Sequence, residues 1–321
     1  MAKTANRRKP SRSPRQPVGR RTASPRGSRR RPDGNRGARI AAVLIGVGIL
    51  TVGAWMLSSG EDKQASPNAG APFVGGDLHS LAVNPQKTSE VFIGGHQGVA
   101  VSGDSGQAWK QVETLDNADA MGWAFLGDRI YVGGHPGLYV SEDRGRTFEQ
   151  RNERLPATDI HSLGAGDSII YAASPAAGVF ASSDGGSSWE MRTDQAGQSF
   201  MGPILVDPNN PNRVVASDMA NGAVESRDGG RTWRALDGVG GAMWVTWDAE
   251  DTDHLVVSGM DRAAESSDGG KTWAPIEVPQ GVSVVEMNPE DPDELLAGGL
   301  LDNGNAKVWI SRARGGSWAE L

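Results

Sequence analysis

Short apolar segments separated by clusters of turn residues recur from residue 73 to the C-terminus. In the first period, apolar residues concentrate at positions 79–83, 90–94, 98–102 and 109–112, and NPQKTS separates the first two segments. Segments this short, bounded by Asn, Asp, Pro and Gly, are typical of β-strands and not of helices. The pattern therefore predicts four short strands in each period.

An eight-residue motif, Ser-x-Asp-x-Gly-x-Thr/Ser-aromatic, recurs once per period. Its copies are SGDSGQAW (102–109), SEDRGRTF (141–148), SSDGGSSW (182–189), SRDGGRTW (226–233), SSDGGKTW (266–273) and SRARGGSW (311–318). The closing aromatic residues are 39, 41, 44, 40 and 45 positions apart. This period matches a four-stranded propeller blade, and six such units occupy residues 78–321. The sequence therefore predicts an all-β fold, a six-bladed β-propeller.

The acids of this motif have a structural interpretation. On a tight turn between the third and fourth strands, Ser and Asp oxygens bond exposed turn amides, and Gly adopts backbone angles that other residues resist. The last copy has Ala313 in place of Asp, so one turn forms without the carboxylate. We interpret the motif acids as structural: Asp104, Asp143, Asp184, Asp228 and Asp268.

The N-terminal region differs from the rest in both charge and hydropathy. Residues 1–39 contain 14 Lys and Arg and one acid, whereas the remainder has 18 basic and 38 acidic side chains. Residues 40–57 form an uncharged apolar run long enough to span a bilayer as a helix. Basic residues before such a run favour a cytoplasmic N-terminus. We predict a disordered basic cytoplasmic tail (1–39), an uncleaved transmembrane signal anchor (40–57), a flexible stalk (58–72) and a propeller outside the cell membrane (73–321).

The basic tail has a second interpretation, as an arm that binds nucleic acid. A topology signal in contact with anionic lipid explains it better once the apolar run is included. We therefore expect the membrane as its partner and no nucleic acid.

Because the eight-residue motif recurs at a regular spacing, the chain resembles the Asp-box (BNR) repeat β-propeller superfamily over residues 78–321. That superfamily includes sialidases, some endoglucanases, sortilin-type receptors and the photosystem II assembly factor. With one membrane segment before the propeller, and with LHSLAVNP, AMGWAF and GGHPGLYVS, the chain is most similar to membrane-anchored bacterial exported proteins commonly labelled glycosyl hydrolases. A shared fold does not carry function, so the resemblance implies either an extracytoplasmic binding or assembly module or an exported glycoside hydrolase.

Sialidase chemistry does not fit the sequence. The resemblance would require an Arg-Ile-Pro motif, an arginine triad and a paired Tyr and Glu, and the chain has no Arg-Ile-Pro. A different glycosidase needs two carboxylates across a cleft. Acids that precede the first strand of a repeat could reach the channel mouth, and the weak catalytic candidates are Asp77, Asp119 and Asp159, with Asp116 nearby.

Histidine and methionine converge on the rim opposite the motif turns. His79, Met121, His161 and Met243 begin the first strands of their repeats, with Met201 within one position, and His96 and His135 end second strands. Imidazole and thioether without any cysteine suit a soft or borderline metal, with copper the first choice. Packing is the alternative, because Met fills gaps in cores. The expected ligands are His79, His96, His135 and His161, with Met121, Met201 and Met243 as thioether partners.

These observations favour a binding or assembly module over an enzyme. The expected partner is an extracytoplasmic protein or a glycan, and copper is the possible cofactor. The motif turns then lie at a structural end of the propeller, and the channel face at the other end is the functional surface.

Overall fold

The computed structural model describes residues 70–237 and 240–321, which belong to a compact unit spanning Asp62–Leu321. No helix in these residues is long and apolar enough to cross a membrane. The predicted tail, membrane span and most of the stalk lie outside the described residues.

The described residues form 24 β-strands and a 3-10 helix at Glu113–Leu115. The first three repeats contain β1 (Leu78–Val83), β2 (Val91–Gly95), β3 (Gly98–Ser102), β4 (Lys110–Gln111), β5 (Asp119–Leu126), β6 (Arg129–His135), β7 (Gly137–Ser141), β8 (Glu149–Gln150), β9 (Ser162–Ala165), β10 (Ile170–Ser174), β11 (Gly178–Ser182) and β12 (Glu190–Thr193). The last three contain β13 (Phe200–Val206), β14 (Val214–Asp218), β15 (Gly222–Ser226), β16 (Arg234–Asp237), β17 (Trp244–Trp247), β18 (Leu255–Gly259), β19 (Arg262–Ser266), β20 (Ala274–Ile276), β21 (Val282–Asn288), β22 (Asp291–Leu300), β23 (Ala306–Ser311) and β24 (Ala319–Glu320).

The first strand of each repeat faces the centre, and these inner strands contact one another in sequence order around a ring. The ring closes where β1 contacts β21. An antiparallel bridge between Phe73 and Asn305 and a bond from the Ala306 amide to the Pro72 carbonyl (2.7 Å) tie its two ends together. The chain therefore has an all-β propeller fold, as the sequence predicted.

The prediction of six separate blades is wrong. The structure has four four-stranded sheets and one eight-stranded sheet, in which the third and fourth repeats are joined by parallel pairing of β9 with β13. The paired residues include Ser162 with Gly202. A Cβ on Gly164 would lie 1.6 Å from the Ile204 carbonyl oxygen, so only glycine permits this approach of the two strands. The fusion depends on single glycines that the repeat pattern does not reveal.

The motif turns are held by bonds that recur from copy to copy. In the fourth, Ser226 Oγ donates to Asp228 Oδ1 (2.8 Å) and accepts from the Gly230 amide (2.9 Å). Asp228 also accepts from the Thr232 amide (2.8 Å) and hydroxyl (2.7 Å). Burial opposes ionisation of Asp228, but these bonds outweigh it and lower its pKa to about 2. The bonds of this acid are all internal to its turn.

The fifth position of every motif turn is a glycine in the left-handed region, with φ between 81° and 90°. The preceding position also has positive φ even where it is Arg144 (62°) or Arg314 (50°). The turn geometry is thus the same in the sixth copy, where Ala313 replaces the acid and Ser311 Oγ still accepts from the Gly315 amide (2.9 Å).

The substitution Ala313→Asp is expected to raise the free energy of unfolding by about 1 kcal/mol, because the new carboxylate would bond the amide and hydroxyl of Ser317 as in the other copies. Urea unfolding of the full chain measures the change. The matched control is Ala319→Asp, on an exposed edge strand with no such turn, which is expected to be neutral. Equal effects of the two substitutions would contradict this account of the turn.

Candidate functional site

Four histidines and three aspartates gather at the end of the ring opposite the motif turns. We call this set the His/Asp rim, and it comprises His79, His96, His135, His161, Asp77, Asp119 and Asp159. It contains two groups whose ligand atoms lie within 4.8 Å of one another, namely Asp77 with His79 and His96, and Asp159 with His135 and His161. Imidazole and carboxylate groups therefore lie side by side along an arc over the first three repeats.

Asp119 joins the two groups. His79 Nε2 lies 2.6 Å from His96 Nδ1, and these two atoms lie 3.4 and 3.6 Å from Asp119 Oδ1. The second oxygen, Oδ2, lies 3.2 Å from His135 Nδ1. Each oxygen of this buried carboxylate thus faces a different group.

Asp159 lies between the last two histidines. Its Oδ1 is 2.7 Å from His135 Nε2 and 2.8 Å from His161 Nε2. Neither approach has hydrogen-bond geometry, so this oxygen is buried without a hydrogen-bond partner. Three potential ligand atoms, this oxygen and the two Nε2 atoms, therefore converge.

Burial keeps two of the histidines neutral. It lowers the pKa of His79, an effect that Asp119 opposes and His96 reinforces. It also lowers the pKa of His161, with Asp159 opposing. His79 Nδ1 and Asp119 Oδ1 are buried and lack hydrogen-bond partners in the described residues. Neutral imidazole is the form that binds a metal ion, so the rim is prepared to accept one.

Local irregularities of the inner strands position these side chains. His79 is the extra residue of a bulge in β1, because Leu78 pairs with Gly95 and Ser80 with Gly94. Such bulges redirect a side chain. His161 lies just before β9, where its carbonyl accepts from the Gly202 amide at 3.0 Å.

The predicted methionine ligands lie differently. Met121 and Met201 are buried and Met243 is half-buried. Within residues 70–237 and 240–321, the polar contacts of the rim histidines go to carboxylates and to one another, and none goes to a methionine sulfur. The geometry favours carboxylate over thioether as the partner of imidazole.

The catalytic candidates are only partly gathered. Asp77, Asp119 and Asp159 belong to the rim, whereas Asp116 is exposed at the end of the 3-10 helix. The sequence pattern did not single out Glu286, whose carboxyl lines the channel at the opposite end. Its signal is a single acid within the run VSVVEM, whose other residues are apolar except for Ser283.

Comparison with known proteins identifies the fold. No family model and no curated protein matches this chain. It is similar to a solved GH74 xyloglucanase from Xanthomonas campestris (18% identity, TM-score 0.55), over 78% of this chain and 46% of that one. It is also similar to nidogen in a nidogen/laminin complex (14%, 0.55; 69% and 88% of the two chains) and to YCF48 bound to D1 peptide (15%, 0.50; 78% and 83%). The chain spans about half the length of the GH74 protein. At these identities the likeness shows a shared β-propeller fold.

Proposed function

We propose that this protein is a membrane-anchored extracytoplasmic binding module whose His/Asp rim holds a transition-metal ion. The observation that carries the proposal is the convergence of imidazole nitrogens and carboxylate oxygens at this rim, where His79 Nδ1, Asp119 Oδ1 and Asp159 Oδ1 are buried without hydrogen-bond partners in the described residues. A cation at either group would satisfy them together. Buried polar atoms without partners are costly, which gives a bound ion a physical reason to stay.

The ligand chemistry points to copper(II) or zinc(II). Imidazole binds both ions well, and carboxylate suits the divalent states better than copper(I). Copper, the metal expected from the sequence, remains part of this proposal, with aspartates as ligands in place of the thioethers of Met121, Met201 and Met243.

Anchoring and location belong to the same proposal. An apolar run at 40–57 after 14 basic residues would hold the N-terminus in the cytoplasm and display the rim outside. There it would meet an extracytoplasmic protein or glycan, with the metal ion as part of the contact. Protease added to intact cells should remove the propeller and leave the tail; full protection of the propeller would refute this topology.

The metal proposal is tested by retention. The purified full chain, kept in mild detergent, is loaded with Cu(II) or Zn(II), dialysed and assayed for metal per chain. Wild type is expected to retain about one ion, and the His79→Ala/His161→Ala variant to lose it. No difference between them would overturn the proposal.

Two paired variants separate carboxylate from thioether ligands. Asp119→Asn/Asp159→Asn is expected to weaken retention roughly tenfold or more, in the range for loss of ligand or supporting groups, whereas Met121→Leu/Met243→Leu should leave it unchanged. His254→Asn is the control for nonspecific histidine binding, because His254 bonds Glu265 (2.7 Å) away from the rim. If the methionine variant lost the metal and the aspartate variant retained it, thioethers and not carboxylates would be the ligands.

A non-sialidase glycoside hydrolase is the second candidate. The supporting observation is that carboxylates of neighbouring repeats, Asp119 and Asp159, face one channel mouth. Against it, both acids already contact histidines. Turnover of aryl glycosides by wild type, lost in Asp119→Asn and independent of added metal, would favour the enzyme over the binding module.

A further inference from the structure

A cavity of about 550 Å³ occupies the channel at the end opposite the His/Asp rim. All six inner strands contribute to its wall, and the turns that follow them surround its mouth. Its apolar lining includes Trp123, Phe125, Ile204, Trp244, Trp247 and Met287. This volume and lining are those of small-molecule binding sites.

One ionisable side chain gives the cavity its polar centre. Glu286 lies on β21, and its Oε2 accepts from the Trp244 indole Nε1 at 2.7 Å. Burial raises the pKa of Glu286 to about 8, although bonds from Trp244, the Val83 amide and the Thr246 hydroxyl act in the opposite direction. The acid is therefore protonated near neutral pH, and its proton can be donated into the cavity.

The other acids of the cavity wall do not take this role. Asp207 is held by Arg213 (3.3 Å) and by the Thr252 hydroxyl (3.0 Å). Asp167 lies on the turn between β9 and β10, at the mouth. No charged group contributes to the shift at Glu286, so this carboxyl responds to its own burial.

We propose that this cavity binds a small, uncharged, mainly apolar organic molecule whose carbonyl or ether oxygen accepts a hydrogen bond from Glu286. An anion would be disfavoured by the acidic side chains of Asp167 and Asp207 in the cavity wall, and it would lose its hydration in the apolar site. A cation would need Glu286 to ionise inside an apolar wall, which is costly. The aromatic lining buries a neutral ring system, and the single donor fixes its orientation. This site is independent of the His/Asp rim and of any metal ion there.

The probe for this test is prodan, a neutral naphthyl ketone whose emission reports an apolar environment. Titration into the purified full chain should give saturable binding at pH 7. Affinity should fall about tenfold per unit above pH 8, because the ionised acid cannot donate. Glu286→Gln keeps an N–H donor, so it should bind at pH 7 with affinity that no longer changes between pH 7 and pH 9.

Two further variants keep the test decisive. Glu286→Leu should weaken prodan binding at least tenfold. Ala249→Trp, at the mouth of the cavity, should block prodan binding, and it tests the site independently if Glu286→Leu fails to fold. Glu277→Gln, an exposed acid outside the cavity, and His79→Ala/His161→Ala should both bind as wild type does. Absence of saturable binding to wild type would overturn the proposal, and so would a Glu286→Gln affinity that still falls above pH 8 as the wild-type affinity does.

Discussion

The substitution Glu225→Ala is expected to lower the free energy of unfolding by about 3–5 kcal/mol, the cost of leaving a buried charge without its partner. The Glu225 side chain has no solvent exposure and accepts from Arg213 Nε at 2.9 Å and Arg227 Nε at 2.8 Å, with Arg234 as a third donor. Arg213 is itself 6% exposed. Urea unfolding of the full chain at pH 7 measures the loss.

Arg213 also links the fourth repeat to the fifth, so the loss of Glu225 should affect the contact between them. Its Nη1 donates to the Thr252 hydroxyl at 2.5 Å, and its guanidinium lies 5.5 Å from the Trp247 ring centre. Both residues belong to the fifth repeat, so the buried pair of the fourth repeat also ties neighbouring sheets together. Loss of Glu225 should therefore loosen the contact between β14 and the fifth repeat.

The control and the pH dependence distinguish this account from a general packing loss. Glu250→Ala, on an exposed turn, should change stability by less than about 0.5 kcal/mol. Burial acts to raise the pKa of Glu225, but its arginine bonds outweigh burial and lower it. The contribution of Glu225 to folding stability is therefore complete above its unfolded pKa of about 4.3, and it is lost as the pH falls through the lowered folded pKa. Wild type and variant should converge in acid; a gap that persists unchanged at pH 3 would contradict the ion-pair account.

A double-mutant cycle isolates the pair. Arg213→Met should cost less in the Glu225→Ala background than in wild type, because the arginine has then lost its main counter-charge. Equal costs in the two backgrounds would mean that Arg213 acts mainly through Thr252, Trp247 and Asp207.

The repeated turns made the architecture predictable from sequence. Motif period and strand length are local signals, and they led to the all-β propeller with four strands in every repeat. The fused third and fourth sheets were not predictable in this way, because the approach of β9 to β13 depends on Gly164 and Gly202 in tertiary contact. Glycine is common in this chain, which has 44 of them, so these two carry no signal of their own.

The candidate site was partly predictable for a similar reason. Repeat phase aligned His79, His96, His135 and His161 at one end of the ring, and the structure brings them together. The repeat alignment could not predict which side chains these histidines would contact, because the register shift at the β1 bulge redirects the His79 side chain. Hence Asp119 and Asp159, set apart as weak catalytic candidates, turn out to be the histidines' partners.

The opposite end was judged structural because its turns carry motif acids bonded within their own turns. That reasoning holds for the turns but does not extend to the channel beside them. Glu286 is separated from any motif, and its environment is assembled from Val83, Trp244 and Thr246, which are distant in sequence. Only the folded ring shows that a single acid in an apolar strand faces a cavity.

The substitution Glu286→Gln is expected to stabilise the protein near neutral pH. A folded pKa of about 8 exceeds the unfolded value of about 4.3, so the folded state holds an extra proton between these limits. The contribution of Glu286 to stability is therefore fully present below the unfolded pKa and falls as pH rises towards 8, by about 1.4 kcal/mol per unit. At pH 7 wild type should have lost roughly 4 kcal/mol that the neutral amide does not lose.

The measurement is the difference in free energy of unfolding between wild type and Glu286→Gln, from pH 4 to pH 8. Other titrating groups cancel in this difference, because both proteins share them. The amide oxygen can still accept from Trp244 Nε1, so a constant packing cost should be small and independent of pH. Glu277→Gln should give no slope. If the Glu286→Gln difference were also flat, the carboxyl would be ionised in the folded protein, and the neutral donor in the cavity would be excluded along with it.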